Sequence, residues 1–301
     1  MLTPYFLLMP IRPIVLILTS AIALMGVSSC ALKPNSVAPN SLEVPENITN
    51  IPTLRVSGGS STIGTVKILM EAYNKSGNRF QLNFLPASQS ASIIAAIKEG
   101  LLDVGSSSHT LSPTELTAGL GQVVIAQDGL VVATNRSVEG VTNLTTENLK
   151  AIYSGKVTNW QELGGPDAQI VLLDRPEDES AKRLLRKHYL GPDLVNSPEA
   201  IFLRQQNELI LALQSTPYSI GSFSLGNAIY EKVPVNLLSL NGVEPTLENI
   251  ENGQYKMVRP IVLFYKQPTS EAIQGFLDFL STPKTTALLR ELGYSPSQRT
   301  P

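Results

Sequence analysis

The chain has 301 residues, of which 16% are charged, and its formal net charge at pH 7 is −2. Nucleic-acid binding requires a basic face, and a nearly neutral chain offers no sign of one, so we expect no nucleic-acid partner. The single cysteine, Cys30, excludes an intramolecular disulfide. The length suits one large domain or two smaller lobes.

The N-terminal segment has the form of a secretory signal. Arg12 precedes an uncharged apolar run, residues 14–27, that contains and ends in small residues. A transmembrane anchor is the competing interpretation, but the run is shorter than the roughly 18 to 20 residues that a span needs. Residues 27–30, Val-Ser-Ser-Cys, resemble the lipobox of bacterial lipoproteins, in which cleavage leaves a lipid-bearing cysteine at the new N-terminus. We therefore expect residues 1–29 to be a lipoprotein signal peptide.

The segment after the signal is predicted to be a flexible tether. Residues 30–52 are rich in Pro, Asn and Ser and lack apolar periodicity. Loss of Arg12 with the signal would move the net charge from −2 to −3. We expect the mature protein in the periplasm or at the extracytoplasmic face, held to the membrane through lipid on Cys30.

The folded part begins with a predicted strand, tight loop and helix over residues 54–73. A short apolar run meets a cluster of glycines and hydroxyl residues, and apolar residues then recur at helical spacing. The helix start presents unpaired backbone N–H groups, and Ser61 and Thr62 add neutral donors beside them. These groups suit an anion, although an ordinary helix N-cap explains the same residues.

Two further strand and helix units follow. Residues 80–84 alternate as a half-buried strand, and residues 88–97 read as a Ser-rich loop that leads into a helix. A third strand is predicted at residues 102–105, followed by a loop of serines at 106–108. Successive units of this kind predict a parallel sheet with helices on its faces. Ligands bind at the carboxyl ends of such strands, where the hydroxyl-rich loops lie.

Two long apolar segments, residues 123–134 and 257–265, predict strands that cross between two lobes. Asp128 and Gly129 mark a bend in the first segment, and Pro260 interrupts the second. We expect Asp128 to orient the bend. The remaining predicted elements are helices at 146–153, 178–189, 270–280 and 285–292, a strand at 170–173, and an apolar hydroxyl-bearing run at 218–223.

The predicted fold is an α/β clamshell of two lobes joined by two crossing hinge strands. Lobe I comprises residues 53–129 and 258–301, and lobe II comprises residues 130–257. Each lobe is expected to hold a mixed, mainly parallel sheet flanked by helices.

Several segments occur in an order typical of one family. They are residues 58–62, 105–108, 126–130, 149–160, 164–165, 220–222 and 245–255. Residues 152–160, Ile-Tyr-Ser-Gly-Lys-Val-Thr-Asn-Trp, are the most specific, since no generic helix and loop pattern requires them. Over nearly all of the mature chain, these residues resemble the periplasmic phosphate-binding proteins of ABC importers, a branch of the type II periplasmic binding proteins.

The resemblance implies a clamshell that closes over phosphate or a related oxyanion and passes it to an ABC permease in the inner membrane. It implies no cofactor, no metal and no catalytic residue, and we expect a monomer. The ligand residues that the resemblance and the hydroxyl-rich loops suggest are Ser61, Thr62 and Ile63 on the first loop, Ser88 or Ser90 on the second, Ser108 on the third, and Arg175, Glu179 and Ser180 in the second lobe.

Two departures from the family concern the ligand. Many members carry an aspartate on the third loop, where this chain has Ser108 followed by His109. The family's second-lobe arginine is followed by Ser-Gly-Thr at a helix start, and here Glu179, Ser180 and Ala181 occupy those positions. Glu179 either caps the helix or reaches the cleft and accepts a proton from a protonated oxyanion. A third possibility is a site that has decayed or serves another ligand.

Two other function classes are alternatives to transport. A lipoprotein that uses the clamshell as a sensor or scaffold would have weak or no ligand binding. A phosphate-ester hydrolase lacks support, because residues 221–226 miss the nucleophile-elbow spacing and no Lys follows Gly64 as a P-loop requires. The two histidines, His109 and His188, are far apart in sequence and suggest neither a zinc site nor a Cys–His pair. We expect a binding protein, not an enzyme.

Overall fold

The structure is a computed structural model that describes residues 52–86 and 90–297. The signal peptide, Cys30 and the tether up to residue 51 lie outside the described residues, as does Ser88. Within the described ranges, no helix is long and apolar enough to cross a membrane.

Strands and helices alternate along the chain. The strands are β1 (Thr53–Gly58), β2 (Gln81–Phe84), β3 (Val104–Ser107), β4 (Leu120–Asn135), β5 (Asn143–Leu144), β6 (Val171–Asp174), β7 (Ile201–Phe202), β8 (Ser219–Ser224), β9 (Val235–Leu237), β10 (Ser239–Leu240), β11 (Val258–Lys266) and β12 (Ser295–Pro296). The helices are α1 (Ile63–Lys75), α2 (Ser90–Lys98), α3 (Pro113–Thr117), α4 (Thr146–Tyr153), α5 (Ser180–Leu185), α6 (Gln206–Ser215), α7 (Leu225–Tyr230), α8 (Leu247–Glu251), α9 (Glu271–Leu280) and α10 (Pro283–Glu291), with a 3-10 turn at Trp160–Leu163.

The main sheet has the strand order β2-β1-β3-β11-β4-β8-β6-β7. At one end β1 pairs in parallel with β2 and β3, and at the other β6 pairs in parallel with β7 and β8. The central strands β4 and β11 are antiparallel to each other and to their outer neighbours β8 and β3. The predicted α/β architecture with mixed, mainly parallel sheets is confirmed.

The strands β4 and β11 contribute to three hydrophobic cores among the described residues. One core is built from buried side chains between Leu130 and Met257. A second combines side chains between Leu54 and Ala126 with side chains between Ile261 and Tyr294. A third, smaller core contains side chains between Ile93 and Leu120 together with Val262 and Phe264. The crossing strands therefore link the first core to the other two.

Two of the elements that differ from their predicted bounds lie near the candidate site. Strand β3 runs through Ser106 and Ser107, which were expected in a loop, because they pair with Leu263 and Val262 of β11. Such a long-range pairing is not visible in a local pattern. The helix expected at 178–189 begins only at Ser180, and its last part, Arg186–Leu190, is π-helical.

Candidate functional site

The first hydroxyl-rich loop folds tightly between β1 and α1. The backbone N–H groups of Thr62 and Ile63 both donate to the carbonyl of Gly59, at 3.0 and 3.1 Å. The hydroxyl of Thr62 lies 2.8 Å from the Ser106 hydroxyl and is fully buried. The groups expected to bind an anion at Thr62 and Ile63 therefore have internal partners in this structure, and their ligand role stays a prediction.

Gly58 allows β3 to approach the first loop closely. A Cβ at this position would lie 2.0 Å from the Ser106 hydroxyl oxygen, far inside contact distance. Ser106 in turn holds the loop, because its carbonyl accepts the Gly59 N–H at 3.1 Å and its hydroxyl meets Thr62. The glycine is thus a packing requirement of the site.

Replacing Gly58 by alanine should destabilise the fold by about 1 to 3 kcal/mol, the usual cost of overpacking. Urea unfolding would measure the loss. Adding Ser106→Ala removes the clashing oxygen, so the double variant should lose less than the sum of the two single variants. Strict additivity would show that Gly58 does not act through Ser106.

The third loop places His109 at an exposed position just after β3. Its Nδ1 atom lies 2.8 Å from the Ser107 hydroxyl, and the neighbouring Ser108 is half-buried. Partial loss of solvent lowers the pKa of His109, and the positive charge of Arg183 in α5 lowers it further, against a smaller opposing effect of Glu115.

In the second lobe Arg175 follows β6 directly and is almost fully buried. Its backbone N–H donates to Asp174 at 2.7 Å, and its Nη2 donates to the carbonyl of Arg204 at 2.7 Å and to Glu179 at 2.9 Å. Its Nε is buried and has no hydrogen-bond partner among the described residues. A buried, unpartnered guanidinium donor is costly and suits a ligand or water that satisfies it.

Glu179 is held by two arginines. Its Oε2 accepts from Arg175 and its Oε1 lies 3.5 Å from Nη1 of Arg204. It stands at the N-cap position of α5, yet its side chain makes no capping hydrogen bond. The carboxylate therefore offsets the positive charge of Arg175, an arrangement that neither of the two sequence interpretations of Glu179 includes.

A second buried ion pair involves Asp174, the residue before Arg175. Lys182 is completely buried, forms an ion pair with Asp174, and donates to Asn196 at 2.9 Å. Beside it, Arg186 donates through Nε and Nη2 to the two carboxylate oxygens of Glu177 at 3.1 and 2.7 Å. These pairs hold the segment between β6 and α5 in place.

The pair Glu177–Arg186 should contribute to stability only above acidic pH. The hydrogen bond from Arg186 lowers the pKa of Glu177 from 4.5 to about 2. A lowered folded-state pKa means that the contribution is complete above pH 4.5 and is lost as the pH falls towards about 2. Because the Glu177 side chain is 53% exposed, we expect at most about 1 kcal/mol at neutral pH.

Urea unfolding of Glu177→Gln at several pH values checks this expectation. The difference from the native protein should be present at pH 7 and shrink between pH 4.5 and 2. Glu139→Gln, at an exposed position, is the matched control. A pH-independent difference would contradict the assignment.

Arg259 is a central residue of the site that sequence reasoning did not single out. It donates through Nε and Nη2 to Asp128 at 3.0 and 2.7 Å, directly across the β4–β11 pairing. Its Nη1 donates to the Ser180 hydroxyl at 2.6 Å, and its Nη2 donates to the Ser61 carbonyl at 3.2 Å. One side chain thus joins the first loop of lobe I to the start of α5 in lobe II.

Asp128, which lies within the continuous strand β4, is the counterion of Arg259. Its Oδ1 accepts from the Ser224 hydroxyl at 2.8 Å. Burial raises the pKa of Asp128, and the positive charge of Arg259 opposes that rise. In the sequence, the sign of this ion pair is one charged residue in each of the two apolar crossing segments, Asp128 and Arg259. Only the strand register shows that these two residues are paired.

The structure thus links the Ser61 carbonyl of the first lobe to the Ser180 hydroxyl of the second through Arg259, and Thr62 and Ser106 pair with each other in the first lobe. Arg175 and Glu179 pair with each other beside them. Ser90 begins α2, and Ser88 is not among the described residues.

Comparison with known proteins agrees with this architecture. The PBP superfamily domain matches residues 43–284. Phosphate-binding protein PstS of Borreliella burgdorferi is 28% identical over 247 residues, covering 79% of this chain and 88% of the relative. The Bacillus subtilis protein of the same name is 26% identical over 286 residues, covering 94% and 93%.

A solved structure from Clostridium perfringens, assigned as a phosphate ABC transporter substrate-binding protein with bound phosphate, is also similar. It is 26% identical, has a TM-score of 0.71, and the match covers 82% of this chain and all of that one. The fold and the family match agree over most of the chain. This chain therefore belongs to the PBP superfamily.

Proposed function

We propose that this protein captures phosphate, or a close tetrahedral oxyanion, between its two lobes and delivers it to an ABC permease. The observation that carries the proposal is the bridge made by Arg259 between Ser61 and Ser180, since the anion-binding loops of both lobes then meet at one network. The names of the relatives and the phosphate in the Clostridium structure support this choice of ligand.

The proposed ligand residues supply one cation and several neutral donors. Hydrogen bonds to charged groups contribute about 1.5 to 3 kcal/mol each, and micromolar binding needs about 8 kcal/mol in total. A few such contacts are sufficient. The proposed set is Ser61, Thr62, Ile63, Ser88 or Ser90, Ser108, Arg175 and Ser180, with Glu179 controlling the charge of the site.

The setting of the protein is also part of the proposal. Residues 1–29 are a signal peptide, Cys30 carries the lipid, and residues 30–52 tether a monomer to the extracytoplasmic face. Residues 53–129 and 258–301 form lobe I, and residues 130–257 form lobe II. The protein binds and releases its ligand without catalysing a reaction.

Isothermal titration of the desalted protein tests the proposal. Phosphate should bind with a submillimolar Kd, and sulfate should bind more weakly. Absence of a binding signal with phosphate would contradict the proposed function. Turnover of a generic phosphate ester would contradict the absence of catalysis.

A sensor or scaffold with weak ligand binding is the second candidate, and the ion pair between Arg175 and Glu179 favours it. If that pair restrains Arg175, Glu179→Gln should raise phosphate affinity by about tenfold, because one negative charge leaves the site. A loss of selectivity for phosphate over sulfate in Glu179→Ser would instead support proton acceptance by Glu179. Unchanged selectivity in that variant would contradict proton acceptance.

A further inference from the structure

A cavity adjoins the proposed anion site. It has a volume of about 310 Å³ and lies between the start of α1 in lobe I and, in lobe II, the start of α6 and one side of α7 that includes its C-terminal end. Ser61 lines this cavity and is also one of the proposed phosphate ligands. The volume is near the lower end of the range of small-molecule pockets, so a compact group would fill it.

One wall of the cavity is an ordered chain of polar side chains. Arg259 Nη2 lies 3.5 Å from Gln206 Oε1, Gln206 Nε2 donates to Asn227 at 2.9 Å, and Asn227 Nδ2 donates to Glu231 at 2.7 Å. The chain begins at the residue that bridges the lobes. It fixes the direction in which each amide points and leaves one oxygen of Glu231 without a partner among the described residues.

The remaining lining is neutral. The hydroxyls of Ser60 and Ser61 make no hydrogen bond to any other described residue, and Ile63 and Ile210 add apolar surface. Arg259 contacts Gln206 but does not line the cavity, and the one charge among the lining residues is the exposed carboxylate of Glu231. A second anionic group would be repelled there, whereas alcohol groups can donate to Glu231 and accept from Ser60.

We propose that this cavity holds the alcohol part of a phosphate monoester of a small polyol, with its phosphate group in the anion site. The inference rests on the proposed function, since it places the phosphate at that site. When inorganic phosphate is bound, the cavity is filled by water. A polyol ester fills it with hydroxyl groups that meet Glu231 and Ser60 and with carbon atoms that meet the two isoleucines, while Ser61 contacts the phosphate group.

Isothermal titration of the full chain with four probes tests the inference. Glycerol 3-phosphate should bind about tenfold more tightly than methyl phosphate, since two additional hydrogen bonds contribute about that factor. Inorganic phosphate tests the anion site alone, and glycerol tests the cavity alone and should bind weakly. If phosphate binds but the two esters have equal affinities, this inference is overturned and the proposed function is not affected. Absence of phosphate binding would contradict the proposed function.

Gly64→Leu is designed to fill the cavity. Gly64 lines it, and a Cβ added there meets nothing within 4 Å, so the backbone accepts a side chain at this position and leucine also favours the helix. The preference for glycerol 3-phosphate over methyl phosphate should disappear, with the Kd for inorganic phosphate within about threefold of its original value. Gly275→Ala, in helix α9, is the matched control and should retain the preference. An undiminished preference in Gly64→Leu would overturn the assignment of this cavity.

Discussion

Replacing Arg175 by alanine is expected to weaken phosphate binding by about 100-fold. The substitution removes the one cation of the proposed ligand set, including the buried Nε that has no partner among the described residues. Two charge-assisted hydrogen bonds account for a loss of this size. Glu179 would also lose its 2.9 Å contact to Arg175 and would repel an incoming anion. Isothermal titration with phosphate measures the change.

Two further variants separate binding from folding. Arg175→Lys keeps the charge but lacks the planar fork of the guanidinium, so an intermediate loss of affinity is expected. Arg136→Ala, at an exposed position, should leave the affinity unchanged. A Kd for Arg175→Ala within threefold of the native value, in a protein that still folds, would show that Arg175 does not bind the ligand.

Replacing Asp128 by alanine is expected to reduce the free energy of unfolding by about 3 to 5 kcal/mol. The substitution leaves the Arg259 guanidinium buried without its counterion, and an uncompensated buried charge carries a cost of this size. Arg259 would retain contacts to Ser180 and Ser61, but these are neutral oxygens. Urea unfolding followed by circular dichroism gives the change.

The double variant Asp128→Ala with Arg259→Met provides the control. Removing both charges replaces the pair by apolar surface, so much of the lost stability should return. A loss below about 1 kcal/mol in Asp128→Ala would show that the pair is not a main link between the crossing strands. A double variant as unstable as the sum of the single variants would show that the two residues act independently.

The elements with a strong local pattern were predictable. Helix α1 follows from apolar residues at helical spacing, of which Val66, Leu69 and Tyr73 are buried. The crossing strands follow from apolar runs too long for a strand within one lobe, and β4 does extend over 16 residues. Burial of one helix face leaves apolar residues at regular spacing, and burial of a whole strand leaves a continuous apolar run. Both patterns can be recognised in the sequence.

The charge arrangement of the site was not predictable in the same way. Arg175 and Glu179 were both expected near the cleft, but their ion pair depends on how the turn before α5 folds. Arg259 lies 131 residues from Asp128, and their contact requires the β4–β11 register. Which donors remain free is a result of three-dimensional packing, as Thr62 shows through its bond to Ser106.

The sequence by itself determined the α/β class, the two crossing strands and the hydroxyl-rich loops, because these depend on the spacing of apolar and polar residues along the chain. Only the tertiary structure decided that Arg259 joins Ser61 to Ser180 and that Glu179 offsets Arg175. Local periodicity reports which face of an element is buried. It carries no information on which buried charges meet across lobes, since that depends on strand register and on the path of the chain between distant elements.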